Sequence, residues 1–255
     1  MLVIEWRQFL ENGLPLGEKF SSVTIGVFDG VHCGHQSLIE KIVSHNADNV
    51  PVVITFRQNH KGKKHAQKNI QTFRQKTAIF ESLGVKITLV IDFTESFRHM
   101  AGIEFLEVLL KHGKMGFLAV GSNFRCGYRL DTNAEAIQKF FAPHNIPVEI
   151  VPEVMEGGLP ISSSRIRSVI TGGNLQKAQA MLGRPYTIDL AALQEIVLPP
   201  PGRYQALLRE KPEDTGTKTE VFVDGGKIRI SETFAEFIAD SAAESFHTTE
   251  NKLQS

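Results

Sequence analysis

Through roughly 150 residues of a 255-residue chain, short apolar runs rich in β-branched side chains alternate with stretches whose apolar residues fall three and four apart. Val23 to Phe28 forms the first strand-like run, and Leu38, Ile39, Ile42 and Val43 give the helical spacing after it. A second strand over 49–56 shows no clear alternation, as expected of a strand covered on both faces. Ile70, Phe73, Thr77, Phe80 and Leu83 predict a helix over 70–83 stopped by Gly84, followed by a strand over 85–91. Further helices are predicted over 102–112 and 134–141, with strands over 117–121 and 148–151. Such alternation predicts an α/β fold, a Rossmann-like parallel sheet with helices on both faces.

Sheets of this kind bind ligands beyond the carboxyl ends of their strands, so the polar residues there matter most. The first strand runs out into Gly26-Val-Phe-Asp-Gly-Val-His-Cys-Gly-His35, which sets His32 and His35 at the start of a helix. Backbone N–H groups at a helix start have no intrahelical partner, and the dipole there favours negative charge, so a phosphate fits. The fourth strand leads to Gly121-Ser-Asn-Phe-Arg-Cys-Gly127, and the fifth to Ile161-Ser-Ser-Ser-Arg-Ile-Arg167. In that third cluster Ser162, Ser163 and Ser164 are N-cap candidates, while Arg165 and Arg167 oppose the helix dipole unless an anion joins them. A short helix over 175–182 follows Gly172-Gly173.

Lys plus Arg equals Asp plus Glu at 28 each, so no global field attracts nucleic acid or an anionic membrane, and an anion site must be built locally. Cys33 and Cys126 are far apart and lack metal-ligand spacing, which fits a reduced cytoplasmic protein and leaves a single disulfide open. Residues 1–20 carry no continuous apolar region and read as neither signal peptide nor membrane span. His32 and His35 lack the acid that completes a His-Glu-x-x-His zinc helix, so no protein-held metal is expected. The chain also lacks a Gly-x-x-x-x-Gly-Lys-Ser/Thr loop. Two anion sites on one sheet edge then suit attack on a nucleotide α-phosphate with pyrophosphate leaving, where imidazolium and guanidinium groups stabilise oxyanions. Mg²⁺ is expected on the triphosphate, mostly water-coordinated.

Residues 57–68 carry four lysines and two histidines, read as a solvated loop or, alternatively, a lid over substrate phosphates. Beyond Tyr186 the pattern changes to β segments over 197–208 and 220–230, the latter a hairpin around Asp224-Gly225-Gly226. Residues 234–238 fit one or two helical turns, and 241–255 a disordered tail.

Gly26 to His35, Val120 to Gly127, Ile161 to Arg167 and Leu182-Gly-Arg-Pro-Tyr186 together resemble the bacterial bifunctional riboflavin kinase/FAD synthetase family, in order over roughly residues 15–187. The resemblance implies a nucleotidyltransferase domain over 1–186 that converts ATP and FMN to FAD and pyrophosphate. It places the ATP phosphates at His32 and His35, with Arg165 as a third catalytic group. The nucleotide would lie against Gly26, Phe28, Asp29, Gly30, Gly121, Asn123, Ser162, Ser163 and Ser164, and the flavin near Phe56, Asn59 and Arg125. The family's Thr-Phe-Asp-Pro-His-Pro string here reads Thr55-Phe56-Arg57-Gln58-Asn59-His60, a departure on the flavin side. No Gly-Phe-Pro-Thr-Ala-Asn string follows Tyr186, so 187–240 is expected to be a β-rich remnant without kinase activity. Adenylyl or cytidylyl transfer to another phosphorylated acceptor, and a non-catalytic flavin- or nucleotide-binding protein, are the competing readings.

Overall fold

The computed structural model describes residues 1–57, 67–209, 215–229 and 234–237. Asn59, most of the 57–68 loop and the 241–255 tail lie outside the described residues. The chain opens with β1 (Leu2–Glu5) and α1 (Trp6–Asn12), then runs β2 (Ser21–Ile25), α2 (Cys33–Ser44), β3 (Val50–Arg57), α3 (Phe73–Ser82) and β4 (Ile87–Asp92). A short α4 (Glu95–Arg98) precedes α5 (Gly102–His112), β5 (Met115–Gly121), the two-residue strands β6 (Arg125–Cys126) and β7 (Thr132–Asn133), α6 (Ala134–Phe141) and β8 (Val148–Val151). A small hairpin, β9 (Met155–Glu156) and β10 (Leu159–Pro160), leads to α7 (Ser163–Thr171) and α8 (Leu175–Leu182). The last described elements are β11 (Tyr186–Asp189), β12 (Gly202–Arg209), β13 (Thr217–Asp224), β14 (Lys227–Ile228) and β15 (Phe234–Phe237).

Six strands form one parallel sheet in the order β1-β4-β3-β2-β5-β8. The alternation along β3 divides the core: Val52, Ile54 and Phe56 face a cluster with Phe9, Phe105, Leu109, Ile137 and Phe141, whereas Val53 faces one with Leu38, Ile39, Ile42 and Phe80. Helices α1, α5 and α6 therefore cover one face of the sheet, and α2 and α3 the other. From central β2 the chain moves outward through β3 and β4, then returns to β2's other side as β5. The loops after β2 and β5 thus flank the point where crossovers diverge, the usual position of a ligand.

A second sheet, antiparallel where paired, has the order β11-β15-β12-β13-β14. Its Ile188, Ala206, Leu208, Val221 and Val223 share one buried cluster with Ile166 and Ile170 of α7 and Leu175 and Met181 of α8. Tyr186 seals that junction, 2% exposed, with its hydroxyl donating to the Val197 carbonyl at 2.5 Å.

Several boundaries differ from expectation for local reasons. Residues 234–237 are a strand, not helical turns, because they fill the gap between β11 and β12 and complete both backbone ladders. Strand β12 begins at Gly202 instead of 197, since the three prolines before it have no N–H to donate. Helix α3 starts at Phe73 because Thr72 and Gln75 form a capping box, leaving Ile70 in a turn below it. Among the described residues no helix is long and apolar enough to cross a membrane.

The Tyr186 hydroxyl tests how firmly the two sheets are joined. Tyr186→Phe leaves the buried Val197 carbonyl without that donor, and urea denaturation is expected to show a loss of about 1–2 kcal/mol.

Candidate active site

The turn between β2 and α2 is built from backbone that favours glycine. Phe28, Gly30 and Val31 have φ of 54°, 83° and 35°, and a β-branched residue such as Val31 adopts positive φ only when its surroundings hold it there. Gly26 makes room of a different kind: a methyl group on it would meet Phe28 Cζ at 3.1 Å, so the buried ring would have to shift by a few tenths of an ångström. The Phe28 ring, fully buried, stands edge-on to both His35 and Phe80, with centroids 5.1 and 5.6 Å away.

Side chains from five other places take the carbonyls of this turn. Val27 O accepts from Thr55 Oγ1 at 3.1 Å and Lys76 Nζ at 3.0 Å. Asp29 O accepts from Ser163 Oγ at 2.8 Å. Arg184 donates to Gly30 O at 2.6 Å and Val31 O at 3.0 Å, and Gln36 Nε2 also reaches Val31 O at 2.8 Å. The Asp29 carboxylate is buried too; it accepts from Ile70 N at 3.0 Å and pairs with Arg167 Nη2 at 2.6 Å. Three cations thus surround the turn, Arg167 on its one carboxylate and Lys76 and Arg184 on its carbonyls, which supplies a local positive charge that the neutral chain lacks overall.

His32 caps α2, its Nδ1 accepting from His35 N at 3.3 Å. A neutral ring that accepts at Nδ1 carries its proton on Nε2, so His32 presents an Nε2–H donor. The two imidazoles stack at 3.6 Å with planes 19° apart. Burial, helped by Arg184, lowers the His32 pKa to about 4. Burial, His32 itself, Lys76 and Arg184 hold His35 well below the usual range. The expected imidazolium pair is therefore corrected: without an anion both rings are neutral, because stacked, desolvated cations beside an arginine would repel. His35 Nδ1 is buried with no hydrogen-bond partner among the described residues, an unmet polar atom beside the β2–α2 turn.

Helix α7 brings the third cluster to the same place through Ser163 and Arg167. Ser162 caps it, accepting from Arg165 N at 3.3 Å, and Ser162 and Ser164 are exposed. Arg165, singled out for catalysis from sequence, is instead engaged by the β9–β10 hairpin: it donates to Leu159 O at 2.9 Å, Pro160 O at 3.2 Å and Glu156 O at 2.8 Å, and pairs with the Glu156 carboxylate. Asn123, after Gly121 at the end of β5, is exposed and donates to Glu153 Oε1 at 2.8 Å.

The flavin candidates are more scattered. Phe56 lies in the main core with its ring stacked on exposed Phe93 at 4.8 Å, while Arg125 is exposed on β6. At the end of β3 Arg57 pairs with Glu5 at 2.8 Å and Asp92 at 3.4 Å.

Lys76, Thr55 and Gln36 carried no role in the sequence reading. Lys76 could have been found: it lies three residues after Phe73 and four before Phe80, so a charge falls on the buried stripe of α3. Among the described residues no three His, Cys, Asp or Glu side chains cluster as a metal site.

The histidine geometry gives a pH test. His32 binds its proton more weakly folded than unfolded, so its contribution to stability is complete above pH 6.5 and is lost as pH falls through about 4. Without nucleotide, its ring NMR signals should titrate near pH 4 and urea stability should drop by about 3 kcal/mol across that interval. A midpoint near 6.5 contradicts the buried, neutral stack.

A family model described as FAD synthetase matches residues 17–165. A FAD synthetase of Listeria monocytogenes is 29% identical over 198 residues, which is 72% of this chain and 79% of that protein. A bifunctional riboflavin kinase/FMN adenylyltransferase of Escherichia coli K12 is 29% identical over 173 residues, 66% of this chain and 55% of that protein. The chain thus spans about half the length of such bifunctional relatives. A crystal structure titled as a macrolide-efflux protein from Streptococcus pneumoniae shares the fold, with a TM-score of 0.75, 23% identity, and coverage of 92% of this chain and 83% of that one. With the family match extending from before β2 into α7, over more than half of its residues, this chain belongs to the FAD synthetase family.

Proposed function

We propose that this protein transfers AMP from ATP to FMN, releasing FAD and pyrophosphate, with Mg²⁺ arriving on the triphosphate, and that it performs no riboflavin kinase step. The carrying observation is the hydrogen bond from Ser163 Oγ to Asp29 O, backed by the Arg167–Asp29 ion pair. Together they join the N-termini of α2 and α7 into one anion site next to the sheet's crossover point. With no P-loop, a site of that shape suits a triphosphate gripped at both ends. The absence of a kinase-type string after Tyr186 supports the second half of the reading.

In this reading a phosphate oxygen of FMN attacks the α-phosphorus, a new P–O bond forms, and the α–β bridging bond breaks to free pyrophosphate. No protein nucleophile is needed; alignment and charge stabilisation supply the rate. His32 offers its Nε2–H at once. An incoming triphosphate also offsets the charge penalty that keeps the imidazoles neutral, so binding favours proton uptake and stronger donation to the phosphorus oxygens. Ser162, Ser164 and the first-turn amides of α7 face the leaving group. Arg165 acts by fixing the β9–β10 hairpin against α7 until an anion competes for it. Asn123 and Gly121 border the nucleoside side. The Asp29 carboxylate, occupied by Ile70 N–H and Arg167, shapes the turn and is not available as a metal ligand.

Phe56, Asn59 and Arg125 remain the flavin candidates, with ring stacking of the kind seen between Phe56 and Phe93 as the available chemistry. One observation favours a second reading, transfer to another phosphorylated acceptor: Arg57 occupies the acceptor edge as a guanidinium already paired with Glu5 and Asp92. Free Cys33 and Cys126 fit a reducing, cytoplasmic setting.

Chromatography of reactions containing protein, Mg²⁺, ATP and either FMN or riboflavin separates these readings. FAD from FMN, with no FMN from riboflavin, is the expected result; a productive reaction with riboflavin would restore the kinase step, and ATP binding without FAD would favour a different acceptor or a binding protein. His35→Ala should lower turnover on the order of 100-fold, as loss of one transition-state donor does.

A further inference from the structure

Lys76 has no part in the chemistry above, yet its ammonium is buried directly behind the phosphate turn. Its Nζ lies 3.0 Å from Val27 O, 3.1 Å from Thr55 Oγ1 and 3.4 Å from Phe56 O. Thr55 Oγ1 gives its own proton to Val27 O, so the hydroxyl presents a lone pair to Lys76. Three acceptors from the carboxyl ends of β2 and β3 therefore converge on one nitrogen. An ammonium has three N–H groups to match them; a neutral amine has two, and its lone pair would face an oxygen. One turn further along α3, Phe80 meets the Phe28 ring that stands against His35. Helix α3 thus grips the turn through one polar and one aromatic contact.

The charged groups facing Lys76 come from three elements. Asp29 lies in the turn and favours the ammonium; His35 on α2 is lowered in part by Lys76 itself; Arg57 at the end of β3 shares the Phe73 ring, its Cζ 5.4 Å and Lys76 Nζ 5.6 Å from the centroid. Burial lowers the Lys76 pKa to about 8. Across pH 7 to 9 His35 stays neutral and Arg57 and Arg184 stay charged, Arg184 being lowered by burial to about 10.

We propose that protonated Lys76 is the positioning residue that sets the phosphate turn, and that its deprotonation releases the turn and closes the alkaline side of nucleotide binding and turnover. The turnover half of this statement rests on the AMP-transfer reading. A purely structural lysine makes the opposite forecast. Between about pH 8 and 10.5 the unfolded chain binds more protons at this residue than the folded one, so rising pH strengthens the fold on its account. Function and stability should therefore diverge.

The test measures ATP affinity by calorimetry, FAD formation and the urea midpoint from pH 6.5 to 9.5, for the protein and for Lys76→Met. In the unmodified protein, affinity and turnover should fall above pH 8, approaching tenfold per pH unit, while the urea midpoint does not fall with them. Lys76→Met should bind ATP at least tenfold more weakly at pH 7 and show no alkaline limb. A limb unchanged in Lys76→Met, or activity that simply tracks stability, overturns the proposal. Should Lys76→Met not fold, 15N NMR of the lysine amines in the unmodified protein decides: a Lys76 midpoint coincident with the limb supports the role, and one near 10.5 removes it. Should the protein form no FAD at any pH, the AMP-transfer reading fails alone, because ATP affinity still reports on Lys76.

Discussion

The turn between β2 and α2 holds its shape because side chains from elsewhere bind its peptide oxygens. Val27, Asp29, Gly30 and Val31 give up their carbonyls to Lys76 and Thr55, Ser163, Arg184, and Arg184 with Gln36. A turn with positive φ at Phe28 and Val31 is costly in isolation, and these bonds provide the compensation. Two of the five donors, Lys76 and Arg184, are cationic, so they fix the backbone and bring positive charge to the turn together. Geometry and electrostatics have one cause at this site.

That cause explains why distant segments must all be in place. Helix α3 contributes Lys76, α7 contributes Ser163 and Arg167, and the segment after α8 contributes Arg184. The parallel sheet brings β2, β3 and β5 to one edge, but of the donors it carries only Thr55, on β3. The others come from helices packed on its face and from the α7–α8 pair, which is backed by the C-terminal sheet through a shared apolar cluster.

Much of this was legible in the sequence. Helices α5 and α6 and strand β8 match their predicted bounds because strong apolar spacing ends at Gly113, at the Asn133 cap, or at a polar turn. The joining of the His32–His35 turn to the serine–arginine helix start was also legible, since both follow parallel strands, although the intervening β9–β10 hairpin was not. Four-residue β1 was not: Leu2 and Val3 are exposed, and the strand is defined by its pairing with β4. Strand β15 likewise depends on neighbours remote in sequence. The charge state of the histidines was hidden because it follows from stacking and burial, which residue type does not reveal. Arg165 looked like a free cation for the same reason: the hairpin that occupies it comes from residues 156–160, whose turn places their carbonyls under the guanidinium.

The cluster beneath α7 bears on how the chain can be divided. Ile166 and Ile170, on the inner side of the helix that supplies Ser163 and Arg167, are buried with Val221 and Val223 of β13. An engineered chain ended just after Tyr186, where the sequence pattern changes, would leave that apolar surface wet and withdraw the support beneath α7. The helix that supplies Ser163 and Arg167 is thus packed against the C-terminal sheet as well as against its own neighbour α8.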